Sequence, residues 1–303
     1  MNVLSLFDGM SCGQIALNRC GIKYANYYAS EIDRYAIQIT QKNFPKTIQL
    51  GDITKINGYN LPKIDLILAG PPCQDLSIAK KNRQGLDGAR SGLFWEFIRI
   101  LKECKPDKFL VENVASMSID NCKIINSALG LMPTKINSAL LSAQNRERYY
   151  WTNIPGDDID LFGAENISQP CDKKITIKDI IYDDTYKIFT DERITKTKKM
   201  CGNYVQWDAS GKEYDSQQDR AYFKNKKVCT IPKNNPANKI NIVMDYEKDI
   251  YRRMHPIEAE RCQNIEDNYT KTKGITSNRR LETIGNSWTV DVICHILKGL
   301  KTT

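Results

Sequence analysis

The chain has 303 residues, 41% of them hydrophobic and 26% charged, with a formal net charge of +8. That balance suits a soluble globular protein with room for one α/β domain and a smaller appended one, and it excludes a disordered or fibrous chain. No apolar run reaches the roughly 18 residues that span a bilayer. The start, Met1–Asp8, lacks the basic stretch of a signal peptide, so no membrane contact and an intracellular location are expected.

In chain order, Val3–Phe7 reads as a strand running into the glycine-containing turn Asp8–Gly13. A helix begins at Gln14, a second strand covers Tyr24–Ser30, and a second helix covers Tyr35–Asn43. Asp65–Ala69 and Lys108–Val111 are further strands, with helical spacing over Ser91–Glu103 between them. Alternation of this kind predicts an α/β fold with a doubly wound, mostly parallel sheet. Ligands of such sheets sit beyond the C-terminal ends of the strands, where every conspicuous motif of this chain falls.

After Trp151–Pro155 the pattern becomes polar and short, and 171–240 carries fifteen Lys/Arg against ten Asp/Glu. Helical spacing returns at Pro256–Cys262 and Val290–Leu300. The expected organisation is a first domain over 1–155, a small region over 156–275 and a C-terminal segment, 276–303, returning to the first domain. The ten cysteines form no Cys-x-x-Cys pair and the only histidines are His255 and His295, so no metal site is expected. Nine of the thiols read as reduced, mostly buried packing groups.

The turn Phe7-Asp8-Gly9-Met10-Ser11-Cys12-Gly13 brings backbone N–H groups near a ligand, as turns between strand and helix do. Glu31, ending the next strand, is placed to accept hydrogen bonds from a ribose diol. Ile32 beside it offers an apolar surface to an adenine, and Asp52, with Ile53, follows the next strand and suits the adenine amino group. A nucleoside-bearing cofactor fits the three together.

Cys73 stands in Gly70-Pro71-Pro72-Cys73-Gln74 after the apolar Leu66–Ala69. Two prolines stiffen the exit from the strand, and a thiol presented there is a nucleophile rather than packing material. Glu112, in Val111-Glu112-Asn113-Val114, sits at another strand end. In Gln144-Asn145-Arg146-Glu147-Arg148, strand alternation puts Gln144, Arg146 and Arg148 on one side, opposite Glu147, and two arginines on one face suit phosphate or carbonyl oxygens.

Taken in this order, the segments resemble the DNA (cytosine-5) methyltransferase family, above all de novo-type catalytic domains and their phage relatives. The similarity covers all but roughly 156–245. Met254–Gln263 looks like the family's Pro-Ile-Glu-x-Glu-Arg-x-Gln-Gly-Phe segment, and Gly285-Asn286-Ser287-Trp288-Thr289-Val290 looks like its Gly-Asn-x-x-x-Val motif. Ser11-Cys12 stand where many members carry glycines, Trp288 where many carry a small residue, and Asn264 replaces a glycine at a place where φ > 0 is tolerated by Asn.

The resemblance implies S-adenosylmethionine as cofactor, held by Phe7, Asp8, Gly9, Gly13, Glu31, Ile32, Asp52, Ile53, Gly70, Pro71, Asn286, Ser287 and Trp288. It implies that 1–155 is the catalytic, cofactor-binding domain and 156–275 the target-recognition region. It implies a Cys73 nucleophile attacking C6 of a flipped cytosine, with Glu112, Arg146 and Arg148 on the base. Double-stranded DNA is the implied partner, read mainly by 156–250. A mobile loop, Ala79–Gly88, is expected to close on the DNA. A monomer is expected, with a cognate restriction endonuclease as a candidate companion. Two other readings were set against this one. The branch of the family that methylates tRNA carries a Cys-Phe-Thr tripeptide, absent here, and a non-catalytic relative has no reason to keep Cys73, Glu112 and both arginines.

Overall fold

The computed structural model describes residues 1–72, 92–159, 165–190, 196–207, 219–233 and 240–301. They fall into two compact units. The first comprises 1–137, 147–170 and 290–303, and the second 138–146 and 171–289.

The first unit is built on a seven-stranded sheet of order β3-β2-β1-β4-β5-β7-β6. Its strands are β1 (Asn2–Leu6), β2 (Asn26–Ser30), β3 (Ile48–Gln49), β4 (Leu66–Ala69), β5 (Lys108–Val114), β6 (Thr134–Asn137) and β7 (Glu147–Thr152). From β3 to β5 all pairings are parallel, and β7 runs antiparallel to both β5 and β6. Leu66, Ile67, Leu68 and Ala69 are all buried, as a central parallel strand covered on both faces requires. The strand order reverses between β1 and β4, which places a crevice at their C-terminal ends.

Helices α1 (Cys12–Arg19), α2 (Arg34–Asn43), α3 (Leu93–Cys104) and α4 (Ile119–Leu129) connect the strands. Asp33 caps α2 by accepting from the N–H groups of Tyr35 and Ala36, and Ser118 caps α4 through Asn121 N–H. Gly130 ends α4 in the left-handed region. One face of the sheet, with Leu4, Leu6, Ile67 and Trp151, packs against Phe94, Phe97 and Ile100 of α3 and Ile125 of α4. On the other face Gly13 of α1 is so close that a Cβ there would lie 2.7 Å from both Leu68 Cδ1 and Tyr27 Oη.

The helix α7 (Val290–Leu297; α5 and α6 lie in the second unit) packs beside α1. Cys20 and Cys294 meet across these helices with Cα atoms 5.9 Å apart and are joined as a disulfide. This corrects the expectation of reduced thiols at both positions. Two helices 274 residues apart in sequence bring the sulfurs together, a meeting that cysteine spacing does not encode. A small hairpin, β8 (Asp158–Ile159) with β9 (Glu165–Asn166), completes the unit.

The second unit holds a six-stranded sheet of order β10-β15-β14-β13-β12-β11. These strands are β10 (Ile188–Phe189), β11 (Lys199–Cys201), β12 (Tyr204–Gln206), β13 (Arg220–Tyr222), β14 (Asn241–Asp245) and β15 (Ile250–Arg253). One face carries a small core of Val205, Trp207, Ala221, Val243 and Tyr251. Two helices follow, α5 (Pro256–Cys262) and α6 (Ser277–Asn286). No described helix is long and apolar enough to cross a membrane.

Candidate functional site

In the first unit the candidate residues gather at the C-terminal ends of β1, β2, β4 and β5 and at the start of β7. The turn after β1 has Phe7, Gly9 and Ser11 at φ 58°, 60° and 64°. Gly9 takes the left-handed conformation at no steric cost and nothing lies within 4 Å of where its Cβ would be. Its N–H donates to Glu31 Oε2 at 2.7 Å, while Oε1 accepts from Ile32 and Asp33 N–H at 2.7 and 2.8 Å. Three backbone donors therefore fix the Glu31 carboxylate at the lip of the turn. Beside it the Ile32 side chain is 74% exposed.

Behind the turn lies a polar chain that keeps it in shape. Ser11 Oγ donates to Asp8 Oδ2 at 2.5 Å and Tyr27 Oη to Oδ1 at 2.9 Å. Gln14 joins Ser11 to Thr47 through its amide nitrogen and accepts from Tyr24 Oη. Burial pushes the Asp8 carboxyl up to about 6, the Ser11, Ser5 and Tyr27 hydroxyls opposing and the Glu31 charge adding to it. Ser11 is thus a bonded member of the turn.

Asp52 caps the 3-10 turn Ile53–Lys55 by accepting from Thr54 N–H at 3.0 Å, a bond that lowers its pKa. The Ile53 side chain packs in the core, which leaves its main chain for a ligand. At Gly13 a Cβ would press on Leu68 and Tyr27, so only glycine lets the helix sit this close to the sheet. Gly70 N–H donates to Leu6 O, and Pro71 O accepts from Asn113 Nδ2 at 3.4 Å. Cys73 and Gln74, and the Ala79–Gly88 loop, lie outside the described residues.

Glu112 is 8% exposed, and its Oε1 lies 2.7 Å from Arg148 Nε. Arg148 Nη1 also donates to Glu147 O. Glu112 pairs with Tyr150 and Val114 with Arg148 across β5 and β7, so both charged groups share one face of the sheet. The other described thiols with resolved shifts are poor nucleophiles. Burial pushes Cys104 up to about 11 and raises Cys122, Cys229 and Cys262. Among the described residues no His, Cys, Asp and Glu cluster suited to a metal occurs.

The second unit holds the remaining predicted residues. Arg146 is buried, and its Nη1 and Nη2 donate to Gly285 O and Ser287 O at 3.3 and 2.9 Å. The expected alternation starting at Gln144 fails, because β7 begins only at Glu147. The two arginines therefore have different work, Arg148 pairing with a carboxylate and Arg146 holding the Gly285–Ser287 backbone. Ser287 is buried with Oγ on Ile284 O, Asn286 is exposed, and Trp288 is half-buried.

The Pro-Ile-Glu-like segment is structural. Glu258 closes a capping box with His255 and forms a buried bidentate pair with Arg252 at 2.8 and 2.9 Å. Glu260 accepts from Arg280 and from Asn268 and Thr270. Asn264 takes the left-handed φ of 54° and donates to Leu141 O. Sequence reasoning missed two holders. Asn113 was visible in its motif but given no role, and Lys227, whose ammonium donates to Ala139, Ser142 and Ile175 carbonyls, carries no local signal.

The model of C-5 cytosine-specific DNA methylases matches residues 1–302. The chain belongs to that family. It is a DNA (cytosine-5) methyltransferase with the family's mixed α/β fold. It is 30% identical to the Type II methyltransferase M.NgoPII of Neisseria gonorrhoeae, over 100% of this chain and 96% of that one. It is 28% identical to the Type II methyltransferase M1.ScrFI of Lactococcus lactis subsp. cremoris, over 98% and 77%. An orphan methyltransferase of Bacillus phage SPR, M.SPRI, is 32% identical but over only 52% of this chain and 38% of its own. Among solved structures, Spodoptera frugiperda DNMT2 superposes with a TM-score of 0.69 at 20% identity, covering 99% of both chains. The Entamoeba histolytica methyltransferase EhMeth does so at 0.74 and 18%, covering 100% and 98%. At these identities the structures speak to the fold alone.

Proposed function

We propose that this methyltransferase transfers a methyl group from S-adenosylmethionine to C5 of a cytosine flipped out of duplex DNA, through a covalent adduct of Cys73 at C6. The observation that carries the reading is the Glu112–Arg148 pair at 2.7 Å, set at the strand ends beside the Pro71 carbonyl that Asn113 holds. The residues around the first turn fit the cofactor. Glu31 is fixed by three N–H groups and keeps acceptor capacity for a diol, Ile32 is an exposed apolar surface, and Gly9 leaves open space. When bound, S-adenosylmethionine supplies the methyl group. Phe7, Asp8, Gly9, Glu31, Ile32, Asp52 and the Gly70-Pro71 main chain would hold it, with Asn286, Ser287 and Trp288 the contacts the resemblance adds.

The chain's own chemistry follows from residue types. Attack by the Cys73 thiolate on C6 makes C5 enamine-like and able to accept a methyl group; loss of the C5 proton to water then breaks the C6–S bond and returns the thiolate. Glu112, facing the N3/N4 edge, stabilises charge developing on the ring, and Arg148 serves O2 while orienting Glu112. Arg146 acts as a positioning residue. Flipping the base costs a few kcal/mol. Region 156–250 reads the target sequence. The protein acts as a monomer, and the Type II names of its relatives favour a companion restriction endonuclease.

The test is incubation with labelled S-adenosylmethionine and either duplex DNA or tRNA, with Cys73→Ser as control. Label in DNA that the variant no longer transfers supports the reading. Label in tRNA alone, or undiminished transfer by the variant, overturns it. Duplex DNA carrying 5-fluorocytosine should trap the protein covalently.

A further inference from the structure

On the helical face of the first unit, α3 and α4 border an open groove of about 440 Å³. Trp95, Ile98 and Lys102 line it from α3 with i, i+3, i+7 spacing, and Lys123, Ile124 and Ala128 line it from α4. Trp95 and Ile124 are 45% and 42% exposed, and Ile119 and Met132 lie bare at the two ends of α4. Three of the ten exposed large apolar residues among those described thus sit on two neighbouring helices, and Met132 follows just past the end of α4. Scattered singly they would be ordinary surface. Trp95 and Ile124 share this groove with Ile98 and Ala128, and together these apolar groups mark a contact face.

Of the groove's residues Ile98 and Ala128 also pack in or against the core, whereas Trp95 and Ile124 are not part of it. The opposite stripe of α3, Phe94, Phe97 and Ile100, already fills the interface with the sheet. α3 also has a self-contained charged side, where Arg99 pairs with Glu96 and Glu103. Lys102 and Lys123, by contrast, have no ion pair among the described residues, and both border the apolar floor. An unpaired cation on each wall asks for carboxylates on whatever lies between them.

The geometry points to this groove as the docking site for an acidic amphipathic helix of another protein. Two helices side by side present a trough that accepts a third helix by its apolar ridge. Trp95 and Ile124 would flank that ridge, the small Ala128 would leave room for a large anchor, and Lys102 and Lys123 would meet acidic residues at its margins. A second copy of this chain is a poor occupant, because a two-fold contact would set these lysines against themselves. Duplex DNA would satisfy the lysines but not the indole.

Two labelled helical peptides of about 16 residues, with one leucine pattern and either glutamate or lysine margins, test the assignment by fluorescence anisotropy. The glutamate peptide should bind the full-length protein at least about tenfold more tightly. Lys102→Glu with Lys123→Glu should invert that preference, and Trp95→Ala should weaken both peptides. Methylation of DNA and the thermal midpoint should stay at wild-type values in each variant. Equal binding of the two peptides, indifference to the variants, displacement by duplex DNA, or concentration-dependent self-association abolished by Trp95→Ala would each overturn the assignment.

Discussion

Replacing Arg148 by alanine strands the Glu112 carboxylate in a place with little water. The side chains of the pair are 12% and 11% accessible, and Nε and Oε1 are 2.7 Å apart. An uncompensated, fully buried charge costs about 3–5 kcal/mol, and the residual access here lowers that to about 2–3 kcal/mol. For a unit of this size each kcal/mol moves the midpoint by about 2–4 °C, so Arg148→Ala should lower it by about 5–10 °C. Glu112→Gln removes the charge, so the double variant should recover about half the loss. The assay is thermal unfolding of the four-member cycle, read alongside methyl transfer to DNA. Transfer should fall at least about a hundredfold in Arg148→Ala, because the charge on the ring loses its partner. A midpoint within about 2 °C of wild type, or a double variant no steadier than Arg148→Ala, would refute the pairing as the source of both effects.

Other expectations are simpler to read. Asn113→Ala should leave the fold in place but cut kcat/KM, since the Pro71 carbonyl loses its tie; the freed buried acceptor costs about 1–3 kcal/mol, measurable by urea unfolding. Gly13→Ala should destabilise by about 1–3 kcal/mol, because its methyl would press on Leu68 and Tyr27. Asp8 holds its proton more tightly folded than unfolded, with a folded value of about 6 against an ordinary 3.8. Its contribution is therefore fully present below the ordinary value and lost as pH rises through about 6. Asp8→Asn should gain stability relative to wild type between those two values and keep a constant difference above them, and a flat difference across that window would count against the burial argument.

Much of the first unit was legible because a parallel sheet writes itself in the chain as unbroken apolar runs closed by turn residues. Leu66–Ala69 before the two prolines is the clearest case. The motifs fell at strand ends for the same reason. The reversal of β7 was not legible, since Tyr149–Trp151 reads alike in either direction. Arg146 and Arg148 looked equivalent because alternation carries no information about burial, and only the Gly285 and Ser287 carbonyls tell them apart. The second sheet escaped detection because its strands are two to five residues long, too short to establish a period. The disulfide depends on two helices meeting, which no local pattern announces.

The antiparallel course of β7 also limits how this chain can change over time. Parallel strands deliver their site residues last, and the loops that follow absorb insertions freely. Strand β7 delivers Arg148 as its second residue, directly after Arg146 has been tied down with Glu147 alone between them. There is no slack to take up an added or lost residue. One inserted amino acid would turn Arg148 to the far face of the sheet and leave Glu112 alone. Substitutions at Glu147 should be tolerated across relatives, whereas length changes between the two arginines should be purged.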